Sequence, residues 1–409
     1  MAPPTIDADR LWAAHMEMAL IGATPGGGSN RQALSSEDRE ARALLLSWCA
    51  PLGLHFEQDA IGNMFLRREG ADPAAAAVAF GSHLDTVPTG GRFDGVFGVL
   101  AGLEVMRALD AAGHQTRPAL ELVNWTNEEG SRFRPAMMGS RVHAGDMTPE
   151  AALAVADDHG VTVGEALRTS GQAGPLPPSP RGWSCWLEEH IEQGPVLEAE
   201  AAQIGIVTGT MQARYQQLLI TGEPSHVGPT TMDRRRDSLA AAAEIILAVE
   251  RLALPAEPHG RSSATWIENA PNARGAVSAV TRLHCDVRHE QAERAVAMEN
   301  ELRAMIAAIG ARRGVTIELD PYATFGPVGF DPRLRALLRE KAAHRQLAAR
   351  DIIAAAGHDS LLIARLCPSA MLFVPSRGGI THNPREYTAP EHLAQGAQVL
   401  LDAVLDLAG

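Results

Sequence analysis

The sequence predicts an α/β protein in which a mixed, largely parallel β-sheet carries helices on both faces. The small apolar runs 74–80 and 119–125 have the length and composition of buried strands. The segment 95–109 between them has the length of a helix. A strand, a helix and a second strand in this order form a βαβ unit, which requires parallel strands.

A further observation divides the chain into two domains. From residue 211 the pattern changes to strand, helix, two strands, helix and strand, which is the element order of a small ferredoxin-like α+β domain. After this stretch, helices and one apolar strand return. We therefore expect a larger α/β domain of residues 1–210 and 329–409, interrupted by a smaller domain at 211–328, in keeping with a length of 409 residues.

The segments around the first βαβ unit complete the predicted elements. Residues 6–20 predict a first helix, and Ser35 and Ser36 begin a second one with acidic residues in its first turn. Residues 54–67 predict two strands joined by a turn. Residues 147–168 predict a further helix that lies outside the sheet.

The composition excludes several classes of function. The net charge of -13 disfavours nucleic acid and anionic membranes as partners. No run of about 18 apolar residues exists, so we expect no transmembrane helix. The N-terminal residues lack the charged-then-apolar pattern of a signal peptide, so we expect a cytoplasmic protein. The 4 cysteines lie far apart without CxxC spacing, which indicates reduced, structural thiols.

The stretch GSHLDTVPTGGRFDG at residues 81–95 carries the first candidate site. His83 and Asp85 lie two residues apart at the end of a predicted strand, so they face the same side. The Pro and Gly residues that follow turn the chain and bring Asp94 back towards them. A metal-bound histidine needs an acceptor for its second ring nitrogen, and Asp85 is placed to supply it. These residues indicate a metal site, with an Asx-type turn beside a surface histidine as the alternative.

Three further segments place metal-ligand side chains at predicted strand ends or in loops. Glu128 and Glu129 follow the strand 119–125, His190 lies in EEHIEQGP, and His382 lies in GITHNP. Ligands gather at the carboxyl ends of parallel strands, and a set of His, Asp and Glu without Cys suits Zn, Mn, Co or Ni. Adjacent glutamates cannot both reach one point, so one should bind metal and the other act as a base. Taken singly, the alternatives are a solvated turn for Glu128 and Glu129, a surface helix position for His190 and a loop histidine for His382.

Together these segments resemble the amidase, hydantoinase and carbamoylase branch of the dinuclear metallopeptidases, the superfamily of carboxypeptidase G2 and aminoacylase. The matching stretches lie in order between residues 81 and 388, which is most of the chain. EHIEQGP and GITHNP are specific to this branch rather than to the peptidases. The matching stretches are GSHLDTVPTGGRFDGVFGVLAG, NWTNEEGSRF, EEHIEQGPVLE, TGEPSHVGPTTMDRRRDSL, AGHDS and FVPSRGGITHNPREYT.

The resemblance implies two divalent metal ions, Zn, Mn, Co or Ni, in a catalytic domain. The general base would be Glu128, and Asp85 would orient His83. The ions would polarise an amide or ureido carbonyl and lower the pKa of water to about 7, and Glu128 would move a proton from water to the leaving nitrogen. The implied metal ligands are His83, Asp94, Glu129, His190 and His382. Asp94 would bridge the two ions, and His83 and His190 would each bind one ion. Glu129 would bind the ion that it shares with His382.

The smaller domain supplies a candidate for the oxyanion stabiliser that this set lacks. His226 lies in PSHVG, after a predicted strand. In the family that it resembles, the equivalent histidine reaches the active site across a dimer interface when the domains close. The resemblance therefore implies a homodimer formed through a lid domain, with a turn histidine as the alternative for His226.

The resemblance also implies substrate contacts. Arg288 would bind a substrate carboxylate with its planar, bidentate fork, the alternative being an exposed charge at a strand end. His358 and Asp359, from AGHDS, would support the site from behind. The implied substrate-binding residues are Gln193, His226, Asn272, Arg288, Gly378 and Gly379.

The stretch PNARGAVS at residues 271–278 departs from the family pattern. The family has Pro-Asn, two residues, and then an Asn that touches the substrate. Gly275 occupies the place of that second Asn. A lost amide removes a polar contact and can change specificity strongly, and Arg274 could supply a different donor. The substrate contacts of this chain should therefore differ from the family's usual set.

The predicted reaction is metal-dependent hydrolysis of a linear C–N bond, that of an N-carbamoyl-L-α-amino acid, to the amino acid, ammonia and carbon dioxide. Allantoate, a β-ureido acid or an N-acyl amino acid would use the same chemistry. His190 and the EQGP segment disfavour a dipeptidase. The presence of every metal ligand and of Glu128 disfavours a non-catalytic binding protein on the same scaffold. The expected partner is thus a small ureido or amide substrate with a carboxylate.

Overall fold

The structure is a computed structural model that describes residues 3–409, and the chain divides into two compact units. The larger domain comprises the chain up to Thr208 together with Phe330–Gly409. The inserted domain is Gly209–Gly329. Within the described part of the chain, no helix is both long and apolar enough to cross a membrane.

Helices and strands alternate through most of the chain. Within residues 3–409 the α-helices are α1 (Ala8–Met18), α2 (Ser36–Cys49), α3 (Val96–Ala111), α4 (Met138–His143), α5 (Pro149–Ala154), α6 (Val163–Ser170), α7 (Val196–Ala199), α8 (Ser238–Ala253), α9 (Ala292–Arg313), α10 (Pro332–His344), α11 (Ser360–Ile363) and α12 (Pro390–Ala408). The β-strands are β1 (His55–Gln58), β2 (Met64–Arg68), β3 (Val78–His83), β4 (Leu120–Trp125), β5 (Cys185–Ile191), β6 (Ile204–Thr210), β7 (Gln212–Thr221), β8 (Gly260–Ala270), β9 (Val280–His289), β10 (Thr316–Phe325), β11 (Ala349–Ala354) and β12 (Ser369–Val374).

The larger domain is built on an 8-stranded sheet with the order β1-β2-β4-β3-β5-β12-β6-β11. Its centre is parallel, because β3 pairs with β4 and β5, and β5 pairs with β12. The pairs β1–β2, β2–β4 and β12–β6 are antiparallel. The predicted mixed sheet is therefore confirmed, and its parallel pairs lie at the centre. Strands β3, β4 and β5 are buried along their whole lengths, as parallel strands covered on both faces should be.

Helices cover both faces of this sheet. The alternation of side chains along β5 separates the two faces. Leu187 and Ile191 join a core with residues of α1, α3 and α12, whereas Trp186 packs with Ile363 of α11. His190 lies an even number of residues from Trp186 and so belongs to that second face. The metal-ligand candidates of the central strands lie at the carboxyl ends of these strands.

The predicted helix 147–168 forms two helices rather than one. Helix α5 ends at Ala154, and α6 begins at Val163. Thr162 accepts a hydrogen bond from the main-chain N–H of Glu165, and the side chain of Glu165 accepts one from Thr162 in return. Such a capping box fixes a new helix start, which periodicity alone did not separate from the preceding helix.

The inserted domain has the predicted ferredoxin-like layout. Its 4-stranded antiparallel sheet has the order β10-β7-β9-β8. Helices α8 and α9 pack against one face, where Leu218 and Ile220 of β7 and Leu283 of β9 form the core with Ile245 of α8 and Leu302 of α9. The opposite face of the sheet carries the residues that alternate with these.

Candidate metal centre

The five predicted metal ligands converge at the carboxyl ends of the central strands. His83 ends β3, His190 lies near the end of β5, and Glu129 follows β4, while Asp94 and His382 lie in loops. Two groups form: His83, Asp94 and His190, and Asp94, Glu129 and His382, with the candidate ligand atoms of each group within 4.8 Å of one another. Asp94 belongs to both groups. A carboxylate that bridges two ions needs this arrangement.

Main-chain carbonyls fix the orientation of two of the imidazole rings. The Nδ1 atoms of His83 and His190 lie 2.9 Å from the carbonyl oxygens of Asp85 and Ile191, respectively. A neutral imidazole that donates from Nδ1 presents an unprotonated Nε2, which is the form that binds metal. The Nε2 atom of His190 lies 3.1 Å from Oδ1 of Asp94. Main-chain carbonyls of the chain itself therefore hold both rings from behind.

The role of Asp85 in orienting His83 stays a prediction. The main-chain oxygen of Asp85, rather than its carboxylate, lies 2.9 Å from Nδ1 of His83. Its carboxylate oxygen lies 3.8 Å from Nδ1 of His83. It accepts hydrogen bonds instead from the main-chain N–H groups of Glu128, at 3.1 Å, and Glu129, at 3.2 Å. Main-chain donors of a buried turn need acceptors, and Asp85 supplies both. Its side chain thus positions the glutamate pair.

The two glutamates point to different partners. Oε2 of Glu128 lies 3.5 Å from Nε2 of His83. Oε2 of Glu129 lies 3.3 Å from Nε2 of His382. Glu129 therefore belongs to the second ligand group. Glu128 lies beside the first group but is not one of its members.

A glycine allows the close approach of His83 and the loop that carries Asp94. Gly95 has φ +68, and a Cβ atom there would lie 2.3 Å from the His83 ring. Its N–H group donates to Nε2 of His190 over 3.1 Å. Only glycine fits both the backbone conformation and the space.

Three side chains converge on the second carboxylate oxygen of Asp94. Nε2 of His382 lies 3.3 Å from it, the Gln193 amide donates to it over 2.8 Å, and the Thr381 hydroxyl does so over 3.0 Å. Charge-assisted hydrogen bonds of this kind are strong and directional. They hold Asp94 in one orientation between the two groups.

Glu386 is a site residue that the sequence reasoning missed. Its Oε1 accepts hydrogen bonds from the main-chain N–H groups of Phe93, at 2.9 Å, and Asp94, at 3.1 Å. Its Oε2 lies 3.1 Å from the Thr381 hydroxyl. A Cβ atom on Gly91 would lie 1.9 Å from this carboxylate. Glu386 thus ties the loop of Asp94 to the loop of His382, and its place in the matched stretch THNPREYT was the one feature that could have pointed to it.

The centre carries a surplus of buried carboxylates. Burial raises the pKa of Asp85 to about 8 and that of Glu386 to about 7, and the charges of nearby carboxylates add to both shifts. The pKa of Glu128 lies well above its usual value for the same two reasons, and that of Glu129 is also raised, first by burial. Carboxylates that destabilise one another in a buried site favour a cation. The donor set, with oxygen and imidazole nitrogen and no sulfur, fits a divalent ion of the Zn, Mn, Co or Ni type.

Two of the three histidines show the matching response, whereas burial lowers the pKa of His83 to about 4. Hydrogen bonds to Asp94 and then Glu129 raise the pKa of His382 to about 11. Burial lowers the pKa of His190, but its hydrogen bond to Asp94 and the charge of Asp94 outweigh this and raise it to about 9. Both shifts come mainly from the negative charge of Asp94, which would equally favour a divalent cation in either ligand group.

Comparison with known proteins decides the family. The model of Peptidase family M20/M25/M40 matches residues 79–406. The chain belongs to this family. It is 40% identical over 403 residues to an N-carbamoyl-L-amino-acid amidohydrolase of Rhizobium meliloti, covering 98% of this chain and 97% of that protein. It is 33% identical over 395 residues to an allantoate amidohydrolase of Bacillus subtilis, covering 96% and 95%.

A solved structure has the same fold over nearly the whole M20 chain. It is the amidase of the hydantoinase/carbamoylase family from Burkholderia vietnamiensis, with a TM-score of 0.95 and 42% sequence identity, covering 99% of this chain and 98% of that one. Members of the M20 family are typically dinuclear metal-dependent hydrolases, and the two ligand groups that share Asp94 agree with this.

Other predicted residues of the larger domain of the M20 chain lie around the ligand groups. The His358 ring packs edge-on against His190, with 4.5 Å between the centroids, and Asp359 accepts a hydrogen bond from Ser140. Gly378 and Gly379 both have positive φ, and a Cβ atom on Gly379 would lie 2.7 Å from the main-chain nitrogen of Pro195. The glycine pair therefore shapes the loop before Thr381, and its predicted contact with substrate stays a prediction.

The predicted lid residues of the M20 chain belong to the inserted domain. His226 is exposed, and its Nδ1 accepts a hydrogen bond from the Gly228 N–H over 3.0 Å, so its proton lies on Nε2. Asn272 is exposed with φ +51. Nε of Arg288 donates to Asp286 over 2.7 Å, and its guanidinium also donates to the Tyr215 hydroxyl over 3.2 Å. Their roles towards a substrate stay predictions.

Proposed function

We propose that this chain is a two-metal amidohydrolase that cleaves the ureido C–N bond of an N-carbamoyl-L-α-amino acid. The products are the L-amino acid, ammonia and carbon dioxide. The observation that carries this proposal is Asp94 shared between two ligand groups, with the buried Glu128 beside them. The 40% identical relative, named an N-carbamoyl-L-amino-acid amidohydrolase, supports the substrate class.

The ligand groups would hold two divalent ions. His83, Asp94 and His190 would hold one, and Asp94, Glu129 and His382 the other, with Zn, Mn, Co and Ni as the candidates. Ions in these positions supply Lewis acidity, which polarises the substrate carbonyl and makes water a better nucleophile at neutral pH.

Glu128 acts as the general base and then as the general acid. Its carboxylate takes a proton from the attacking water and delivers it to the leaving nitrogen, so ammonia can depart. Burial and the neighbouring carboxylates raise its pKa, which makes it a stronger base than an exposed glutamate. The hydrogen bonds from the main-chain N–H groups of Glu128 and Glu129 to Asp85 hold this base in place.

Residues of the inserted domain, together with Gln193 of the larger domain, bind and orient the substrate. Arg288 binds the substrate carboxylate through its guanidinium fork, and Gln193 and Asn272 contact polar groups. The proton on Nε2 of His226 is available for the oxyanion that develops when water attacks the carbonyl. Removing a single donor of this kind typically costs about 10²–10³ in kcat.

We also propose a homodimer formed through the inserted domain, in which His226 serves the site of the partner subunit. Strand β8 is an edge of its sheet, and unpaired edges favour pairing with another chain. The exposed side chains of Ile267, at 44%, and of Leu247 and Leu254 on and after α8, at 47% and 66%, lie in the elements at this edge. Such apolar exposure supports an interface.

The assignment of His226 to the partner's site has a direct test. Glu128→Gln and His226→Ala variants, each inactive alone, are mixed under conditions of subunit exchange. If His226 acts across the interface, every mixed dimer contains one complete site, and activity should recover to about a quarter of the parent value. No recovery despite proven exchange would place His226 in its own subunit's site.

Product release by the purified, manganese-loaded protein tests the function, measured as ammonia for the ureido compounds and as free amino acid for the N-acetyl-L-amino acids and the dipeptide. The panel contains N-carbamoyl-L-amino acids, N-carbamoyl-β-alanine, allantoate, N-acetyl-L-amino acids and a dipeptide. Turnover of an N-carbamoyl-L-amino acid with kcat/KM of about 10⁴ M⁻¹s⁻¹ or more is expected, and chelator-treated protein should be inactive. A preference for allantoate would transfer the assignment to the activity named for the 33% identical relative. Silence on every compound by protein with two bound ions would refute the proposal.

A further inference from the structure

The turn that carries Glu128 and Glu129 is held by a buried polar network from two other segments of the larger domain. Thr126 follows strand β4 and opens this turn. The main-chain N–H group of Thr126 donates to Oδ1 of Asn63 over 3.0 Å. The Thr126 hydroxyl accepts a hydrogen bond from Nη2 of Arg42 over 3.2 Å. All three residues are at most 4% exposed, so neither contact is exchanged with solvent.

The side chain of Asn63 is itself fixed in one orientation. Its Nδ2 donates to Oδ2 of Asp59 over 2.8 Å and to the carbonyl oxygen of Gly139 over 3.2 Å. Because both N–H bonds of the amide are used in this way, its oxygen is the atom left to accept from Thr126. A Cβ atom on Gly139 would lie 2.1 Å from this oxygen. The amide therefore fits in this position only against a glycine.

Arg42 joins helix α2 to the turn before β2 and to the turn after β4. Its Nε lies 3.0 Å from both carboxylate oxygens of Asp38. Its Nη1 donates to the carbonyl oxygen of Gly62 over 2.6 Å, while Nη2 donates to Thr126. Each nitrogen of the planar guanidinium group thus has a partner, which a lysine side chain could not reproduce. Arg42 holds the residue before Asn63 and the start of the glutamate turn at the same time.

The glutamate turn contains an unfavourable backbone conformation that needs such support. Asn127 has φ +56, and a residue with a side chain adopts this left-handed region at a cost of about 1–2 kcal/mol. Conformations of this kind persist only where the surrounding contacts over-determine them. Asp85 binds the two N–H groups that follow Asn127, and Asn63 binds the one that precedes it. Release on either side would let Asn127 relax and would move the two glutamates that follow it.

We propose that Asn63 and Arg42 are positioning residues that set the affinity of the second ligand group for its ion and the placement of the general base. The inference rests on the proposed function, because it takes Glu129 as a ligand and Glu128 as the base. Both positioning residues act through Thr126. The first ligand group contains no residue of this turn. Loss of either positioning residue should therefore weaken the binding of one ion and spare the other.

Titration of the metal-free protein with Mn²⁺ in a calorimeter tests this inference. In Asn63→Ala we expect the affinity for one of two ions to fall about 10- to 100-fold, as the loss of contacts that support a ligand typically causes. The affinity for the other ion should equal that of the parent. At Mn²⁺ concentrations that fill both sites, kcat on a ureido substrate should fall while KM is kept, because the base has moved and the substrate contacts have not.

A second variant keeps the test decisive where Asn63→Ala does not fold. Arg42→Lys keeps a positive charge beside Asp38 but loses the planar fork. It should shift the affinity for the same single ion by about 10-fold, at the lower end of the range for supporting contacts. Unchanged affinity for both ions in this variant and in any folded Asn63→Ala would overturn the inference.

Arg181→Ala is the matched control for a purely structural effect. Arg181 donates to both carboxylate oxygens of Glu121 over 2.8 Å, and Glu121 lies in β4 at the end away from the glutamate turn. This variant should lower the melting temperature of the metal-free protein but leave both Mn²⁺ affinities and kcat at the parent values. An equal loss of both ions in Asn63→Ala, or a selective loss in Arg181→Ala, would also overturn the positioning role.

The outcomes separate this inference from the proposed function. A parent protein that binds two Mn²⁺ ions but turns over no ureido substrate would refute the function, whereas a selective loss of one ion in Asn63→Ala would still support the positioning role. Turnover by the parent together with unchanged metal binding in both variants would leave the function standing and refute the positioning role.

Discussion

Glu189 is a buried carboxyl group without a partner, and its replacement by Leu should stabilise the protein. Its side chain is 2% exposed, and among the described residues neither of its oxygens has a hydrogen-bond partner. Leu187 and Ile191 flank it on the same face of β5, and Leu372 of β12 lies beside it in register. Burial alone holds the pKa of Glu189 well above its usual value. The strand thus carries a polar group in an apolar core.

The expected gain follows from these surroundings. A buried polar group that makes no hydrogen bond costs about 1–3 kcal/mol. Leu has nearly the same length, and burying an apolar side chain contributes about 1.5–3 kcal/mol. Part of this second term is already supplied by the methylene groups of Glu189, so we expect Glu189→Leu to raise the free energy of unfolding by about 2–4 kcal/mol.

Glu188 provides the matched control on the same strand. It is equally buried, at 1% exposed, but faces the other way. Ser82 donates to it over 2.8 Å, and the main-chain N–H of Ser360 donates over 3.0 Å. Glu188→Leu would leave these donors unpaired and should destabilise the protein by about 2–4 kcal/mol.

Urea unfolding followed by tryptophan fluorescence measures both effects. Of the 6 tryptophans only Trp266 lies in the inserted domain, so the probe reports mainly on the larger one. A gain of this size raises the midpoint by about 1 M when m is about 3 kcal/mol/M. Unchanged activity would show that the metal centre on the other face is intact. A midpoint that is unchanged or lower in Glu189→Leu would refute the reasoning and point to a partner for this carboxyl group.

Substitutions at four further positions address the site. Glu128→Gln should lower kcat at least about 10²-fold with two ions still bound per chain by elemental analysis, and metal loss instead would make it a ligand. His226→Ala should lower kcat about 10²-fold without changing metal content, so unchanged kinetics would make it a plain turn histidine. Glu386→Ala should free the loop of Asp94 and lower the amount of metal bound per chain, and Glu386→Gln should retain more metal than Glu386→Ala. Full metal occupancy in both variants would show that the contacts of Glu386 are dispensable. Gly275→Asn should change the free energy of unfolding by less than about 0.5 kcal/mol, because a Cβ atom there meets nothing within 4 Å, but should shift substrate preference.

The sequence predicted the fold class and the convergence of ligands because both follow from short-range periodicity. A strand that ends in His83, a second strand followed by Glu128 and Glu129, and a βαβ order between them require that these groups share one edge of a parallel sheet. The mixed α/β sheet is confirmed, and the structure brings all five candidate ligands together. Strand periodicity does not reach His190 and His382, whose roles as ligands the family resemblance implied.

Supporting contacts were harder to predict, because they depend on which atom of a residue faces the site. The spacing of His83 and Asp85 is the same whether the side-chain or main-chain oxygen accepts from the imidazole. The turn at Glu128 and Glu129 decides between the two oxygens of Asp85, because its two N–H groups donate to the carboxylate. The main-chain oxygen is then the one that faces the imidazole. Glu386 escaped prediction for a related reason, since its partners lie 292 and 293 residues earlier.

Chemistry and specificity are encoded differently in this chain. The ligand groups come from short motifs whose residue types suit divalent ions, so we expect the loss of a ligand to remove the reaction. Contacts with the substrate's other groups depend instead on residues outside these groups. Gly275 of the inserted domain is such a position, because a Cβ atom there would meet nothing within 4 Å and the fold accepts a side chain. Substrate preference can therefore change at Gly275 within an unchanged metal centre.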